Sequence, residues 1–83
     1  GYDYENNVKI FPNPASNEVI LLVSGTSDNV YVQLLNSIGQ AVLEKSFQAG
    51  NKFIFDISDL PLGVYYFAVE INGKVSRTKL VKS

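Results

Sequence analysis

Two carboxylates in one turn-forming stretch are the first candidates for chemistry in this chain. Asp56 and Asp59 are its close acidic pair in a predicted turn region, and paired carboxylates are a common device for general acid-base work. Histidine and cysteine are both absent, so no Ser-His or Cys-His nucleophile can be assembled. Turn acids commonly accept hydrogen bonds from backbone amides. The sequence therefore favours a structural role for this pair and predicts that the domain is not an enzyme.

The other polar residues do not form a metal-binding or cofactor-binding pattern. No stretch combines acids at alternate positions with the central glycine of a calcium loop. Thiolate and imidazole ligands are missing, and the glycines are isolated in turns instead of forming a phosphate-binding loop. We therefore expect no cofactor and no metal.

Charge and hydropathy narrow the range of partners. A net charge of -1 gives no reason to expect nucleic acid or an anionic membrane. The longest apolar run, Val19 to Val23, is far shorter than the roughly 20 residues of a membrane-spanning helix, so direct membrane insertion is not expected. Four of the seven basic residues lie in the last ten positions, where no acid occurs: Lys74, Arg77, Lys79 and Lys82.

Short runs of apolar, β-branched and aromatic residues, separated by Gly, Pro, Asn, Asp and Ser, predict an all-β fold. The predicted strands are Val8 to Phe11, Glu18 to Ser24, Val30 to Asn36, Gln40 to Gln48, Lys52 to Ile57, Val64 to Ile71 and Lys74 to Lys82. Seven such strands favour an immunoglobulin-like antiparallel β-sandwich, with a closed barrel as the alternative. At 83 residues the chain holds one domain, residues 8–83, and residues 1–7 are interpreted as a linker remnant.

Alternation and turn chemistry predict the core and the corners. The expected core side chains on the fifth and sixth strands are Phe53, Phe55, Ile57, Tyr65, Phe67, Val69 and Ile71. Asn72-Gly73 predicts a type I′ hairpin turn, and Ser37-Ile38-Gly39 a tight hairpin connection. Tyr65 is either a corner tyrosine that hydrogen-bonds back across the turn or a plain core aromatic.

Exposed aromatic residues leave a second functional class open. Tyr31 and Tyr66, with Tyr2 and Tyr4 near the start, could stack on sugar rings and form a carbohydrate-binding or adhesive module. That hypothesis requires Tyr31 and Tyr66 to form one exposed platform. A purely structural spacer domain is a third interpretation.

The last strand carries an unusual apolar and basic pattern. Lysines normally protect an edge strand against association, yet Lys79-Leu80-Val81-Lys82-Ser83 keeps the pattern to the last residue. We expect an exposed strand end with a free carboxylate, which suits strand addition or terminal capture by a partner. The chain lacks methionine, so we expect it to be a processed or excised piece of a larger protein.

Four segments in this order resemble the C-terminal sorting domains of proteins exported by the type IX secretion system of Bacteroidetes-type Gram-negative bacteria. They are the opening Val8 to Ala15 with its Phe-Pro-Asn-Pro, the middle Leu34 to Val42, the corner Asp56 to Tyr65, and the ending Gly73 to Lys82. The resemblance covers about Val8 to Ser83, and Ser83 departs from it by extending past the terminal lysine. No single segment is specific to the family, but the four segments together, in this order and spacing, are.

The resemblance implies that the domain is a secretion signal. An N-terminal cargo domain of the same parent chain would precede it, and type IX translocon and shuttle components would read it. It would act in the periplasm, in transit across the outer membrane to the cell surface or the extracellular space. In many family members a sortase-like cysteine peptidase then cuts before the domain and joins the cargo to anionic lipopolysaccharide, which would place the cut in residues 1–7.

The family motifs also suggest which residues carry recognition. The resemblance assigns translocon recognition to Lys74, Lys79, Leu80, Val81 and Lys82. It assigns family-motif or structural roles to Pro12, Asn13, Pro14, Leu60, Gly63, Tyr65 and Gly73.

Overall fold

The computed structural model describes residues 8–23, 29–48 and 50–83, and every regular element within them is a β-strand. The strands are β1 (Val8–Phe11), β2 (Glu18–Val23), β3 (Val30–Leu35), β4 (Ala41–Phe47), β5 (Lys52–Asp56), β6 (Gly63–Ile71) and β7 (Lys74–Lys82). Each predicted strand is present. The linker remnant at residues 1–7, with Tyr2 and Tyr4, and the turn at 25–28 fall outside the described residues.

The strands form two antiparallel sheets. One sheet has the order β1-β2-β5 and the other β4-β3-β6-β7. Hairpins join β1 to β2, β3 to β4 and β6 to β7 within a sheet, whereas the connections from β2 to β3, from β4 to β5 and from β5 to β6 change sheets. The predicted immunoglobulin-like β-sandwich is confirmed, and the closed barrel is not formed.

The core lies between the two inner faces and follows the period of two most strictly along β2, β3 and β5. β2 and β3 alternate strictly between buried and half-buried side chains after Glu18. The predicted core residues Phe53, Phe55, Ile57, Tyr65, Phe67 and Val69 are all buried, and Ile71 packs against them half-buried.

Four phenylalanines join the two sheets. Phe53 and Phe55 belong to the three-stranded sheet, and Phe47 and Phe67 to the four-stranded sheet. Phe47 stacks on Phe53 with ring centroids 4.0 Å apart and meets Phe55 edge-on at 6.2 Å. Phe55 contacts Phe67 at 5.4 Å. Because such pairs add to the free energy of burial, this cluster fixes the sheets against each other.

The turns follow the sequence signals closely. Asn72 and Gly73 both adopt positive φ, at 54° and 79°, as a type I′ turn requires. The β3–β4 connection is wider than the predicted tripeptide, because the Asn36 side chain organises it. The Asn36 Oδ1 atom accepts hydrogen bonds from the amides of Ile38 and Gln40, at 3.1 and 2.9 Å.

Tyr65 combines the two roles that the sequence left open. Its ring is only 5% exposed, and its hydroxyl donates a 2.7 Å hydrogen bond to the Pro61 carbonyl oxygen. Tyr65 is therefore a corner tyrosine and a core aromatic at once. Gly63, with φ of 149°, lets the chain enter β6 in a conformation that side-chain-bearing residues rarely adopt.

The aromatic cluster leads to a stability prediction. Phe67 is fully buried, so Phe67→Ala should lower the free energy of unfolding by about 3–5 kcal/mol through lost burial and a cavity. Urea denaturation followed by far-UV circular dichroism measures this loss. Ile54→Ala is the control, because Ile54 is 58% exposed and should cost less than about 1 kcal/mol. Equal losses in the two variants would contradict this account of the core.

Candidate recognition surface

The end of β7 is held by the side chain of Asn13. The Asn13 Nδ2 atom donates a 2.9 Å hydrogen bond to the Lys79 carbonyl oxygen, and the Val81 amide donates a 2.9 Å bond to the Asn13 Oδ1 atom. A carboxamide offers one acceptor and an N–H donor at fixed separation, as a backbone residue does. Asn13 therefore takes the place of a neighbouring strand along β7.

The backbone of Ala15 continues this contact. The Ala15 amide donates to the Val81 carbonyl oxygen and the Ser83 amide donates to the Ala15 carbonyl oxygen, each at 2.9 Å. Ala15 pairs in parallel with Lys82 and is 1% exposed. The hydroxyls of Ser16 and Ser83 lie 3.0 Å apart. We call residues 13–16 the bridging segment.

The bridging segment corrects the expectation of an exposed strand end. From Lys79 to Lys82, β7 pairs with β6 on one side and with Asn13 or Ala15 on the other, and Ser83 bonds to Ala15 beyond the end of the strand. Sequence reasoning gave Asn13 only a family-motif or structural role and missed this contact, because the bonded residues lie 66 and 68 positions away. Pro12 and Pro14 flank Asn13 and are exposed; both of their X-Pro bonds are cis.

The outer face of the four-stranded sheet carries a mixed apolar and basic surface near this end. The register places Tyr66 between Leu35 on β3 and Lys79 on β7. Val64 lies opposite Val81, and Ala68 opposite Arg77. We call this surface the outer patch and define it as Leu35, Val64, Tyr66, Arg77, Lys79 and Val81.

The outer patch borders a groove at the β3–β4 loop. The groove is lined by Leu35, Asn36, Ser37, Gly39, Tyr66, Arg77 and Lys79. Tyr66 is 38% and Val64 36% exposed, so the patch offers apolar area beside two cationic side chains. Tyrosine and arginine are enriched in the parts of protein interfaces that contribute most to binding. The arrangement suits contact with another protein.

The structure divides the predicted recognition residues between two faces. Lys79 and Val81 belong to the outer patch, whereas Leu80 is fully buried in the core. Lys82 is 7% exposed, and its Nζ atom donates a 3.3 Å bond to the Ser83 carbonyl oxygen. Lys74 begins the strand, about 27 Å from Lys82 at an extended rise. The five residues therefore do not form one cluster in the folded domain.

The predicted structural residues lie at turns and bridges. Leu60 is half-buried against the core, and its amide donates a 3.0 Å bond to the Ile57 carbonyl oxygen. Gly63, Tyr65 and Gly73 occupy the corner and the hairpin turn described above. These positions shape the backbone that carries β6 and β7.

Four members of the outer patch were not among the predicted recognition residues. They are Leu35, Val64, Tyr66 and Arg77. The signal was present in the alternation of β6, since residues between buried Tyr65 and Phe67 must point outward. What sequence alone did not supply was the pairing of β3, β6 and β7, which sets these side chains side by side.

The two tyrosines of the carbohydrate hypothesis do not form one platform. Tyr31 and Tyr66 lie on the same outer face, but Tyr31 pairs with Glu70 and Tyr66 with Leu35, so they are about 13 Å apart along the strands. The Tyr31 hydroxyl donates to a Glu44 carboxylate oxygen, and this bond raises the pKa of Tyr31. The hypothesis is not favoured.

Of the acidic pair, Asp56 ends β5 and Asp59 lies in the turn that follows. The Asp56 Oδ1 atom accepts a 2.9 Å bond from the Ser58 amide and a 2.7 Å bond from the Ser58 hydroxyl. The hydroxyl bond, followed by the amide bond, holds the pKa of Asp56 below its usual range because both bonds favour the charged carboxylate. Asp59 is exposed beside it.

Two further features bear on ligands and membranes. Within residues 8–23, 29–48 and 50–83, no three acidic side chains gather where a metal ion could be held. The same part of the chain contains no helix of sufficient length and hydropathy to cross a membrane.

Fold and surface together define a small two-sheet β-sandwich with an exposed apolar and basic patch on one outer face. Over residues 9–83 the chain matches the family described as the secretion system C-terminal sorting domain. The chain belongs to this family and is a C-terminal sorting signal for cargo of the type IX secretion system. The family is a sorting signal and is not catalytic. A search of curated proteins finds no match.

The Asn13 contact predicts how the end of β7 responds to substitution. Asn13→Ala removes the acceptor of the Val81 amide, so that amide should exchange faster with solvent, by the equivalent of about 1 kcal/mol. Asn13→Asp keeps that acceptor but has no N–H for the Lys79 carbonyl, so the Val81 amide should stay protected. NMR hydrogen exchange measures both effects.

The control for these variants is Asn17→Ala, because among the described bonds Asn17 takes part only through its carbonyl oxygen, which accepts from Ile57. Unchanged exchange of the Val81 amide in Asn13→Ala would show that the Asn13 side chain does not hold β7.

The Asp56 turn predicts a pH effect. Ser58→Ala removes the hydroxyl donor, so the pKa of Asp56 should rise toward its ordinary value. A lowered pKa contributes stability that is present above the unfolded-state pKa and lost as the pH falls through the folded-state pKa. Ser58→Ala should therefore make the free energy of unfolding less dependent on pH in the acidic range. NMR titration of the side-chain carboxyl carbon measures the shift, with exposed Ser46→Ala as the control that leaves the pKa of Asp56 in place.

Proposed function

We propose that type IX translocon and shuttle components read this sorting domain on its outer patch. One observation carries the proposal: within the ending motif, Lys79 and Val81 face outward beside Tyr66 and Val64, whereas Leu80 and Lys82 face inward. The side chains of Lys79 and Val81, for which recognition was predicted, thus lie beside aromatic and apolar side chains of the neighbouring strands.

The composition of the outer patch favours contact with a protein over a purely protective role. An edge strand needs only charge for protection, but here Tyr66 and Val64 belong to the interior strand β6 and are more than a third exposed. Lys79 stands directly opposite Tyr66, so a partner that covers the ring also meets the ammonium group. Such a partner would combine apolar and acidic side chains.

Leu80 and Lys82 support recognition indirectly in this proposal. Leu80 is part of the core, and Lys82 pairs with Gly63 on β6 and with Ala15 in the bridging segment. Both residues hold β7 at the register that turns Lys79 and Val81 outward. Direct reading of either side chain would require the strand end to leave the sandwich.

Membership of the family supports a proposal for the remaining steps. We propose that an N-terminal cargo domain precedes this domain in the parent chain and crosses the periplasm with it. After translocation, a sortase-like cysteine peptidase would cut within residues 1–7 and attach the cargo at the cell surface. The proposed cut lies before Val8, where β1 begins, so it would leave the sandwich whole.

Export of the full-length cargo tests the outer patch. Tyr66→Ala and Lys79→Glu should each reduce surface display by about tenfold, as expected when a buried interface aromatic or charge partner is lost. Cell fractionation and surface immunodetection measure the cargo in periplasm and at the surface. Tyr31→Ala is the matched aromatic control on the same face, and Lys45→Glu is the matched charge control on β4.

These substitutions are sharper than a deletion of Lys79 to Ser83, because that deletion also removes Leu80 from the core. Each variant is checked by urea denaturation as an isolated domain, so that lost export is not confused with unfolding. Normal surface display of folded Tyr66→Ala and Lys79→Glu would refute recognition through the outer patch.

A further inference from the structure

The backbone of β7 has a free edge next to the bridging segment. The Val81 amide and carbonyl bond to Asn13 and Ala15, so both groups point away from β6. In an antiparallel pair the direction of the backbone groups alternates from residue to residue. Val75, Arg77 and Lys79 therefore also turn their backbone groups away from β6.

The free stretch has a defined length. In the part of the chain that the structure describes, the outward N–H groups of Val75, Arg77 and Lys79 have no hydrogen-bond acceptor, and the carbonyls of Val75 and Arg77 have no donor. The Lys79 carbonyl is the first group that Asn13 occupies. The open edge of β7, from Val75 to Lys79, is thus about 13 Å long.

This edge lacks the protection that β4 has at the other side of the sheet. On β4, Lys45 pairs with buried Val32 and so lies on the inward-facing side of the strand, and an inward charge on an edge strand opposes strand addition. The inward positions of the open edge are Ser76 and Thr78, which are uncharged. Neither proline nor bulge interrupts the register there.

The side chains along the open edge select the chemistry of an added strand. Arg77 and Lys79 point to the outer face, and no acid occurs between Lys74 and Lys82. In an antiparallel pair, residues directly opposite each other share a face. Partner residues opposite Arg77 and Lys79 would therefore place their side chains beside these two cations.

We propose that the open edge of β7 binds an extended acidic segment of another protein as an added β-strand. The added strand makes up to five backbone hydrogen bonds, to the N–H groups of Val75, Arg77 and Lys79 and to the carbonyls of Val75 and Arg77. Acidic residues at alternate positions pair with Arg77 and Lys79. Asn13 limits the strand at one end.

The edge and the outer patch share the side chains of Arg77 and Lys79 but differ in their other contacts. The patch uses side chains of β3, β6 and β7, whereas the edge adds the backbone groups of β7 to the side chains of Arg77 and Lys79. Val75 belongs to the edge and not to the patch, and Tyr66 belongs to the patch and not to the edge.

The probe is the peptide acetyl-Glu-Val-Glu-Val-Thr-amide, whose glutamates lie opposite Lys79 and Arg77 and whose threonine lies opposite Val75 in an antiparallel pair, titrated into the ¹⁵N-labelled 83-residue chain. We expect chemical-shift changes and slower amide exchange at Val75, Arg77 and Lys79, because their N–H groups gain acceptors. The same peptide with lysine in place of glutamate should leave these signals unchanged. Binding of both peptides with equal affinity would overturn the acidic preference.

Val75→Pro tests the backbone contact directly. It removes an outward N–H without removing a bond to β6, so the domain should fold and the acidic peptide should bind at least about tenfold more weakly. Val75→Ala keeps the N–H and should bind like the native chain. Arg77→Glu is the second variant, and it should reverse the preference to the basic peptide.

Unchanged affinity of the acidic peptide in both Val75→Pro and Arg77→Glu, or shift changes confined to residues outside β7, would refute the added strand. That result leaves the export test of the outer patch untouched. Conversely, normal export of Tyr66→Ala with peptide binding at Val75 and Arg77 would refute the outer patch and keep the added strand.

Discussion

The hydrogen bonds between Asn13 and β7 are the constraint on which the arrangement of this domain depends. They join a segment that follows β1, in the three-stranded sheet, to the edge strand of the other sheet, and Ala15 extends them to Ser83. A terminal strand with one neighbour would fray at its end. Here the backbone groups at the end of β7 are hydrogen-bonded on both edges of the strand. The ending motif is therefore part of the folded domain.

This constraint explains how one strand serves two purposes. With its register fixed, β7 contributes Leu80 to the core and presents Lys79 and Val81 to solvent. The aromatic cluster around Phe55 supplies the packing that keeps the sheets together. The corner at Tyr65 sets the start of β6, which contributes side chains to the outer patch. The outer patch, which we propose as the recognition surface, consequently depends on strand pairing as much as on residue type.

Local sequence signals were sufficient for most of the fold. The type I′ turn at Asn72-Gly73 and the period-two burial of β5 and β6 depend on neighbours in sequence, so they could be predicted. The bridge from Asn13 to Lys79 spans 66 positions, and no local pattern encodes such a contact. For the same reason the composition of the outer patch could not be predicted, since it requires knowing that Leu35 lies beside Tyr66.

Because Asn13 binds backbone atoms, it fixes the position of β7 whichever side chains the strand carries there. The strand is fixed at its start by the Asn72-Gly73 turn and near its end by Asn13. The number of residues between these two points is therefore fixed as well. Inserting one residue between these two fixed points would exchange the faces of every side chain beyond it. For the proposed recognition, the number of residues between the turn and Asn13 therefore matters as well as their identities.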